Sequence, residues 1–172
     1  PGRSDVSLAS MGIYVFDAEL LFDQLRRDAQ DPNSSHDFGK DLIPYVVRHG
    51  KAVAHHFSRS CVRSNGDARV YWRDVGSIDA YYEATMDLRA VTPALNLYNR
   101  QWPLRTAGYD DPPAKFTFDQ DSRRGHAVDS IVSEGCIISG GGVRNSVLGR
   151  RVFVHSWSEI EDSIVLDNCD IG

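Results

Sequence analysis

The sequence has 172 residues, of which 41% are hydrophobic and 25% are charged. This composition excludes a disordered, collagen-like or coiled-coil chain, and the length suits one domain or slightly more. No apolar run approaches the roughly 18 residues that span a bilayer, and the net charge of -5 argues against a general nucleic-acid binder. Three cysteines without zinc-type spacing indicate reduced thiols in a cytoplasmic protein. Because the chain starts at Pro1 and stops inside a patterned segment, we expect it to be a piece of a longer protein.

The first half of the chain alternates strand-like and helix-like segments. In chain order, these are a buried strand from Leu8 to Phe16, a helix capped by Asp17, a helix from Asp37 to His49 broken near Pro44, a strand from Lys51 to Phe57, and a helix from Ser77 to Leu88. Strands that alternate with helices are typical of an α/β layer architecture.

The second half of the chain carries a repeat. A serine followed by two aliphatic residues recurs at positions 130, 146 and 163, and spacings of 16 and 17 residues match one circuit of a parallel β-helix. Aliphatic residues also return about every six residues, and we expect these to point inward: Ile131, Ile137, Val143, Val154, Ile160 and Leu166. The hexapeptide pattern predicts a left-handed β-helix of about three coils.

The change of pattern sets the predicted domain boundaries. We assign residues 1–105 to the α/β part, residues 106–124 to a linker rich in proline and polar side chains, and residues 125–172 to the β-helix.

Two segments near the predicted strand and helix starts carry candidate ligand-binding groups. Ser10 and Tyr14 share one face of the first strand, where two hydroxyls can bind a sugar or a phosphate. The simpler alternative is a packed strand with a glycine bulge. Asp37 can share a helix face with Asp41, or it can merely cap the helix.

A third segment carries a candidate metal ligand. Asp74 precedes a Val-Gly turn and a helix start, and Mg²⁺ usually takes only one or two protein carboxylates. Trp72 can serve as an apolar plate for a sugar or a base. The alternative places Asp74 in an ion pair with Arg73 and Trp72 in the core. The sequence shows no nucleophile–base pair and no zinc-type spacing.

Taken together, these motifs resemble those of bacterial glucose-1-phosphate adenylyltransferases. The resemblance covers nearly the whole chain from about Leu8, through segments 10–16 (SMGIYVF), 34–44 (SSHDFGKDLIP), 71–76 (YWRDVG), 97–103 (LYNRQWP) and 112–116 (PPAKF). It implies part of a Rossmann-like (glycosyltransferase-A-like) nucleotidyltransferase domain followed by a left-handed parallel β-helix. It also implies formation of ADP-glucose and pyrophosphate from ATP and glucose 1-phosphate, in glycogen biosynthesis.

The resemblance assigns roles to individual residues. It implies that Ser10 and Tyr14 contact glucose 1-phosphate, that Asp37 and Phe38 line the sugar pocket with Trp72 nearby, and that Asp74 is the catalytic Mg²⁺ ligand. The glycine-rich nucleotide loop and the second metal-binding aspartate of that family would precede Pro1. We therefore expect this chain alone to be inactive.

Three further expectations concern assembly and alternatives. The resemblance implies an allosteric homotetramer, although the open solenoid could instead pair end to end. One alternative is a hexapeptide-repeat acyltransferase that uses His126 or His155 as its base. The other is a non-catalytic regulatory or assembly module of the same fold.

Overall fold

The computed structural model describes residues 9–61 and 70–172. By its internal contacts the chain divides into two units, Pro1–His56 and Phe57–Gly172. No helix in the described ranges is long and apolar enough to cross a membrane.

The first helix begins where its cap predicts. Helix α1 spans Ala18–Ala29, and the Asp17 carboxylate accepts a hydrogen bond from the Leu20 N–H at 3.1 Å. This bond satisfies one of the free donors of the first turn. Arg26 and Arg27 lie in the last turn, where positive charge complements the helix dipole.

The second helix changes its geometry at the proline, as predicted. A π-helical turn over Phe38–Leu42 leads into helix α2 over Ile43–His49, with Pro44 in the first turn of α2. Proline is tolerated there because the N–H groups of a first turn have no intrahelical acceptor. The Asp37 carboxylate caps the π-helical turn.

Both strand predictions in the first half are wrong. Residues 9–16 and 51–56 are irregular, and Phe57–Arg59 form a short 3₁₀ helix; Leu8 lies outside the described residues. A strand exists only when a neighbouring strand completes its hydrogen-bond ladder. Within the described ranges, no strand pairs with either segment. Apolar and β-branched composition alone is therefore not enough to make a segment a β-strand.

The second unit contains a third helix and all the strands that the structure describes. Helix α3 spans Ile78–Asp87, and the Ser77 hydroxyl caps it by accepting from the Ala80 N–H at 3.2 Å. The strands are β1 (Lys115–Thr117), β2 (Asp119–Gln120), β3 (Arg123–Arg124), β4 (His126–Val128), β5 (Ile131–Val132), β6 (Ile137–Ser139), β7 (Gly142–Arg144), β8 (Val147–Leu148), β9 (Phe153–Val154), β10 (Glu159–Glu161), β11 (Ile164–Val165) and β12 (Asp170–Ile171).

Nine of these strands form three coils of a parallel β-helix. Strands β4, β7 and β10 make one face, β5, β8 and β11 the second, and β6, β9 and β12 the third. The serine triplets of the sequence stand at the second face, where Ile131 pairs with Val147 and Val147 with Ile164. The predicted solenoid is thus confirmed. Its left-handed sense stays a prediction.

The inward-facing residues differ from the prediction at three positions. Ile138 is fully buried whereas Ile137 is only half-buried, and Leu166 is 64% exposed while Val165 packs on the core. Val132 likewise packs on the core in place of Ile131. Each face is a strand of two or three residues, so neighbouring side chains point to opposite sides and the corner geometry decides which one faces inward. The other buried members of the core are Cys136, Val143, Leu148, Val152, Val154 and Ile160.

Serine hydroxyls stack along one corner of the coils. Ser130, Ser146 and Ser163 form this serine ladder: the Ser130 Oγ accepts from the Ser146 N–H, and the Ser146 Oγ accepts from the Ser163 N–H, both at 3.1 Å. Each hydroxyl also donates to the carbonyl oxygen two residues earlier, over 2.6 to 2.8 Å. The ladder satisfies backbone groups at a corner where the strands are interrupted.

The segment predicted as a linker contributes secondary structure to this unit. Strand β1 adds to the third face by pairing in parallel with β6, and β2 and β3 form a short antiparallel pair. The Asp111 carboxylate, whose side chain is 5% exposed, accepts hydrogen bonds from Arg150 and Arg151. These contacts attach the segment to the coils. The domain boundaries themselves stay a prediction.

Candidate functional site

A tight bend brings the first two candidate residues together. The hydroxyl oxygens of Ser10 and Tyr14 lie 2.8 Å apart, within hydrogen-bond distance. Gly12 makes the bend with a φ of +73°, which glycine adopts without strain, and its N–H donates to the Ser10 Oγ at 3.2 Å. The two hydroxyls are therefore neighbours, but a bend places them together and not the shared strand face that the sequence predicted.

Three aromatic rings pack beside this hydroxyl pair. The ring centroids of Tyr14 and Phe38 are 5.9 Å apart, and Phe16 lies 6.3 Å from Tyr14 and 5.9 Å from Phe38. Contacts of this kind hold aromatic rings in defined orientations. The sequence motifs point to Tyr14 and Phe38, whereas Phe16 carries no signal beyond being an aromatic residue two positions after Tyr14.

Asp37 caps the π-helical turn, as its simpler interpretation predicted. Its Oδ1 accepts from the Lys40 N–H at 2.8 Å. Its own N–H donates to the Asp41 carboxylate at 3.1 Å, and the Ser35 hydroxyl donates to the same carboxylate at 2.6 Å. The Ser35 hydroxyl and then the Asp37 N–H hold the pKa of Asp41 below its ordinary value. These bonds fix the backbone that carries Asp37 and Phe38.

A buried carboxylate supports the loop before Asp37. Asp28 at the end of α1 is 8% exposed; it accepts from the Ser34 hydroxyl at 2.8 Å and lies 3.1 Å from the His36 Nδ1. The hydrogen bond with His36, followed by that with Ser34, lowers the pKa of Asp28. His36 has a φ of 56°, an uncommon conformation outside glycine. The sequence reading assigned no role to this pair.

Trp72 and Asp74 belong to the second unit. Trp72 is 50% exposed, so the alternative that placed it in the core is wrong. Arg73 forms an ion pair with Glu83, at 4.0 Å, and not with its neighbour Asp74. The Asp74 carboxylate is exposed and lies beside Gly76, where an added Cβ would approach its oxygens to 3.3 Å.

The donor set allows Asp74 to act as a single carboxylate ligand. Among the described residues, no three histidine, cysteine or acidic side chains converge into a complete metal site. A small hard cation such as Mg²⁺ does not need one, because substrate phosphates and waters complete its octahedron. The exposed Asp74 carboxylate fits that mode of binding.

The solenoid histidines have partners in the described structure. His155 Nε2 lies 2.6 Å from the Asp170 Oδ1, and His126 Nδ1 lies 3.1 Å from the Arg124 carbonyl oxygen. The ring of His155 also packs on Phe153, with the centroids 4.5 Å apart. These contacts account for both residues as parts of the coil surface.

Comparison with known proteins matches both halves of the chain. A family model described as nucleotidyl transferase matches residues 1–91, and one described as GlmU-like, C-terminal hexapeptide matches residues 112–172. Proteins named glucose-1-phosphate adenylyltransferase match all 172 residues: 60% are identical in Rhodopseudomonas palustris (strain TIE-1), and 56% in Bradyrhizobium diazoefficiens (strain JCM 10833 / BCRC 13528 / IAM 13628 / NBRC 14792 / USDA 110) and Gemmatimonas aurantiaca (strain DSM 14586 / JCM 11422 / NBRC 100505 / T-27). The chain spans 41% of the length of these relatives.

Proposed function

The chain belongs to the nucleotidyl transferase family, and on that premise we propose that it is part of a glucose-1-phosphate adenylyltransferase. One observation carries the proposal: 60% identity to a relative of that name, over every residue of the chain. The acyltransferase and assembly-module alternatives gain no support from the names of these relatives.

The proposed reaction joins ATP and glucose 1-phosphate. A phosphate oxygen of the sugar phosphate attacks the α-phosphorus of ATP, the bond from that phosphorus to the bridging oxygen breaks, and pyrophosphate leaves. ADP-glucose is the other product, which supplies glycogen synthesis. Because charge is spread over phosphate oxygens throughout this reaction, positioning and electrostatic stabilisation supply most of the catalysis.

The first unit supplies the groups that we assign to glucose 1-phosphate. The paired hydroxyls of Ser10 and Tyr14, 2.8 Å apart, can donate to sugar or phosphate oxygens. Phe38 stacks near Tyr14 and offers an apolar wall. Asp37 uses its Oδ1 for the helix cap, so its Oδ2 is the atom we assign to a sugar hydroxyl. The buried support from Asp28 keeps this loop in place.

The second unit supplies Trp72 and Asp74. The family resemblance assigns Trp72, which is 50% exposed, to sugar binding. We assign Asp74 as a ligand of Mg²⁺, since nucleotidyl transfer generally uses a divalent metal. When bound, that ion would neutralise negative charge on the phosphates. Asp74 would hold the ion through its single carboxylate. Arg73 does not compete for that carboxylate, because it forms an ion pair with Glu83.

The remaining family properties are proposals of the same kind. We expect a cytoplasmic homotetramer under allosteric control. Because the chain spans only 41% of the length of its relatives, we expect no turnover from the 172 residues alone. We also expect isothermal titration of the isolated chain with ATP and Mg²⁺ to show no micromolar binding.

A chimera tests the proposed function. The matched region of the Rhodopseudomonas palustris relative is replaced by this chain, and pyrophosphate release is measured with ATP, glucose 1-phosphate and Mg²⁺. We expect an active chimera. Asp74→Asn should lower its kcat by about 100-fold or more, because a metal ligand contributes several kcal/mol of transition-state stabilisation.

Asp79→Asn is the matched control. Asp79 is an exposed carboxylate five residues after Asp74, in the first turn of α3, and its replacement should leave kcat within about twofold. A folded tetrameric chimera without activity would refute the function. An active chimera whose Asp74→Asn variant keeps full activity would refute only the assignment of the metal ligand.

A further inference from the structure

One corner of the solenoid holds an exposed tryptophan in an unfavourable backbone conformation. Trp157 has a φ of 65°, and its side chain is 66% exposed. One coil earlier, the same corner is made by Gly140 with a φ of 76°, and the Trp157 N–H donates to the Gly140 carbonyl at 2.9 Å. Glycine adopts this conformation freely, whereas a bulky side chain is strained in it. Other corner residues such as Arg151 and Asn168 also have a positive φ, so the large exposed indole is what distinguishes this corner.

Trp157 forms one wall of a cleft of about 500 Å³, which we call the Trp157 cleft. The other lining residues are Asp121 and Ser122 of the turn between β2 and β3, together with Arg124, His126, Gly140 and Glu159. The volume lies within the roughly 300–1,000 Å³ typical of small-molecule sites. The cleft is thus large enough for a ligand of a few rings.

A glycine lies between two of the residues that line the cleft. His126, Gly142 and Glu159 lie side by side in register on β4, β7 and β10. Because Gly142 has no side chain, the Glu159 carboxylate occupies the space above it, where an added Cβ would collide with the carboxylate oxygens. The Glu159 carboxylate therefore lies over Gly142, and Glu159 is one of the residues that line the cleft.

Packing around Arg123 holds the aromatic wall. The Arg123 guanidinium lies 3.4 Å from the centre of the Phe118 ring and 5.5 Å from that of the Trp157 ring, and its Nε donates to the Ser156 hydroxyl at 3.0 Å. A cation over aromatic faces adds attraction to ordinary packing. The indole is thus supported from one side although most of it is exposed.

The charges in the cleft disfavour an anion. Asp121 and Glu159 are both acidic, and Arg124, which also lines the cleft, is paired with Asp119 at 2.6 Å. A phosphate would therefore face two carboxylates, while the arginine of the lining already has an acidic partner. An uncharged molecule with many hydroxyl donors would satisfy the carboxylates instead, through charge-assisted hydrogen bonds.

We propose that the Trp157 cleft binds a pyranose oligosaccharide. One face of a pyranose carries mainly C–H groups and would cover the exposed indole, removing apolar surface from water. Its hydroxyls would donate to Asp121 and Glu159, and the Ser122 hydroxyl offers a further polar contact. This site uses none of the residues assigned to nucleotidyl transfer, so the two proposals can fail independently.

The test is a titration of the 172-residue chain with maltotetraose and, separately, with cellotetraose. Binding is measured by isothermal titration calorimetry and by ligand-observed NMR. We expect saturable binding of at least one of them; which one binds identifies the linkage. Trp157→Gly should weaken that binding by about tenfold or more through loss of the stacked ring. The variant should still fold, since Gly140 adopts the same conformation one coil earlier. Glu159→Gln should also weaken binding, because it removes the charge from the acceptor.

Asn168→Gly is the matched control. Asn168 is an exposed residue at another corner with a φ of 60°, so its replacement relieves the same kind of backbone strain without touching the cleft. The Asn168→Gly variant should bind the saccharide with the same affinity as the parent chain. The proposal is overturned if neither saccharide saturates the chain, if folded Trp157→Gly binds as tightly as the parent, or if inorganic phosphate displaces the saccharide from the cleft.

Discussion

Replacing Ser146 by alanine breaks the serine ladder at its middle step. The Ser146 side chain is fully buried, and its hydroxyl makes two hydrogen bonds. It donates to the Arg144 carbonyl at 2.6 Å and accepts from the Ser163 N–H at 3.1 Å. The Arg144 carbonyl keeps a second partner, the Asp162 N–H at 3.2 Å. The Ser163 N–H is the group that loses its partner.

The size of the effect follows from that lost partner. A buried donor left unsatisfied costs about 1–3 kcal/mol, whereas exchange of a hydroxyl for hydrogen leaves only a small void. We therefore expect Ser146→Ala to lower the free energy of unfolding of the solenoid by about 2 kcal/mol. This corresponds to about a thirtyfold increase in its unfolded fraction.

Urea unfolding followed by circular dichroism, together with hydrogen exchange of the Ser163 amide, measures this change. Ser163→Ala is the matched control, because the Ser163 hydroxyl donates to the Glu161 carbonyl at the exposed end of the ladder. Its loss should cost less than about 1 kcal/mol. If Ser146→Ala costs no more than Ser163→Ala, or leaves exchange of the Ser163 amide unchanged, the ladder does not stabilise the coils in the way described.

Two further predictions concern the same unit. The hydrogen bonds from Arg150 and Arg151 lower the pKa of Asp111 below the ordinary value of 3.8, so the stability that they confer is complete above that pH and is lost as pH falls through the folded-state pKa. Asp111→Asn should therefore flatten the acid limb of a plot of stability against pH; an unchanged acid limb would refute the role of this carboxylate. Gly125→Ala should prevent folding of the coils, measured by circular dichroism, because its Cβ would overlap the backbone carbonyl oxygens of Ile138 and Thr117. Gly108→Ala, with nothing within 4 Å of the added Cβ, should be tolerated, and equal effects of the two changes would contradict this account.

The helix starts in this chain could be predicted from the sequence, because each depends on a hydrogen bond between a capping side chain and the N–H three residues later. Asp17, Asp37 and Ser77 each accept a hydrogen bond from the N–H three positions later. The side chain and its partner are close in any conformation that begins a helix, so the residue type is sufficient. The change of geometry near Pro44 is equally local, since the proline itself lacks the donor.

The candidate site was only partly readable from the sequence. The sequence placed Ser10 and Tyr14 on one face of a strand, but their hydroxyls meet because of the bend at Gly12, which the spacing did not predict. The pairing of Arg73 with Glu83, which leaves Asp74 exposed, depends on a side chain one helical turn into α3. The site roles of these residues rest on the family resemblance and stay predictions.

The repeat spacing of 16 and 17 residues determined that the second half is a solenoid, because each coil must return to the same face to pair with the one before it. Only the tertiary structure decided which of two neighbouring aliphatic residues is buried, as with Ile138 over Ile137. It also decided that residues 9–16 pair with no strand in the described chain. Burial of a side chain and pairing of a strand both depend on neighbours that are distant in sequence. Repeat spacing and helix capping, in contrast, are local properties of the sequence.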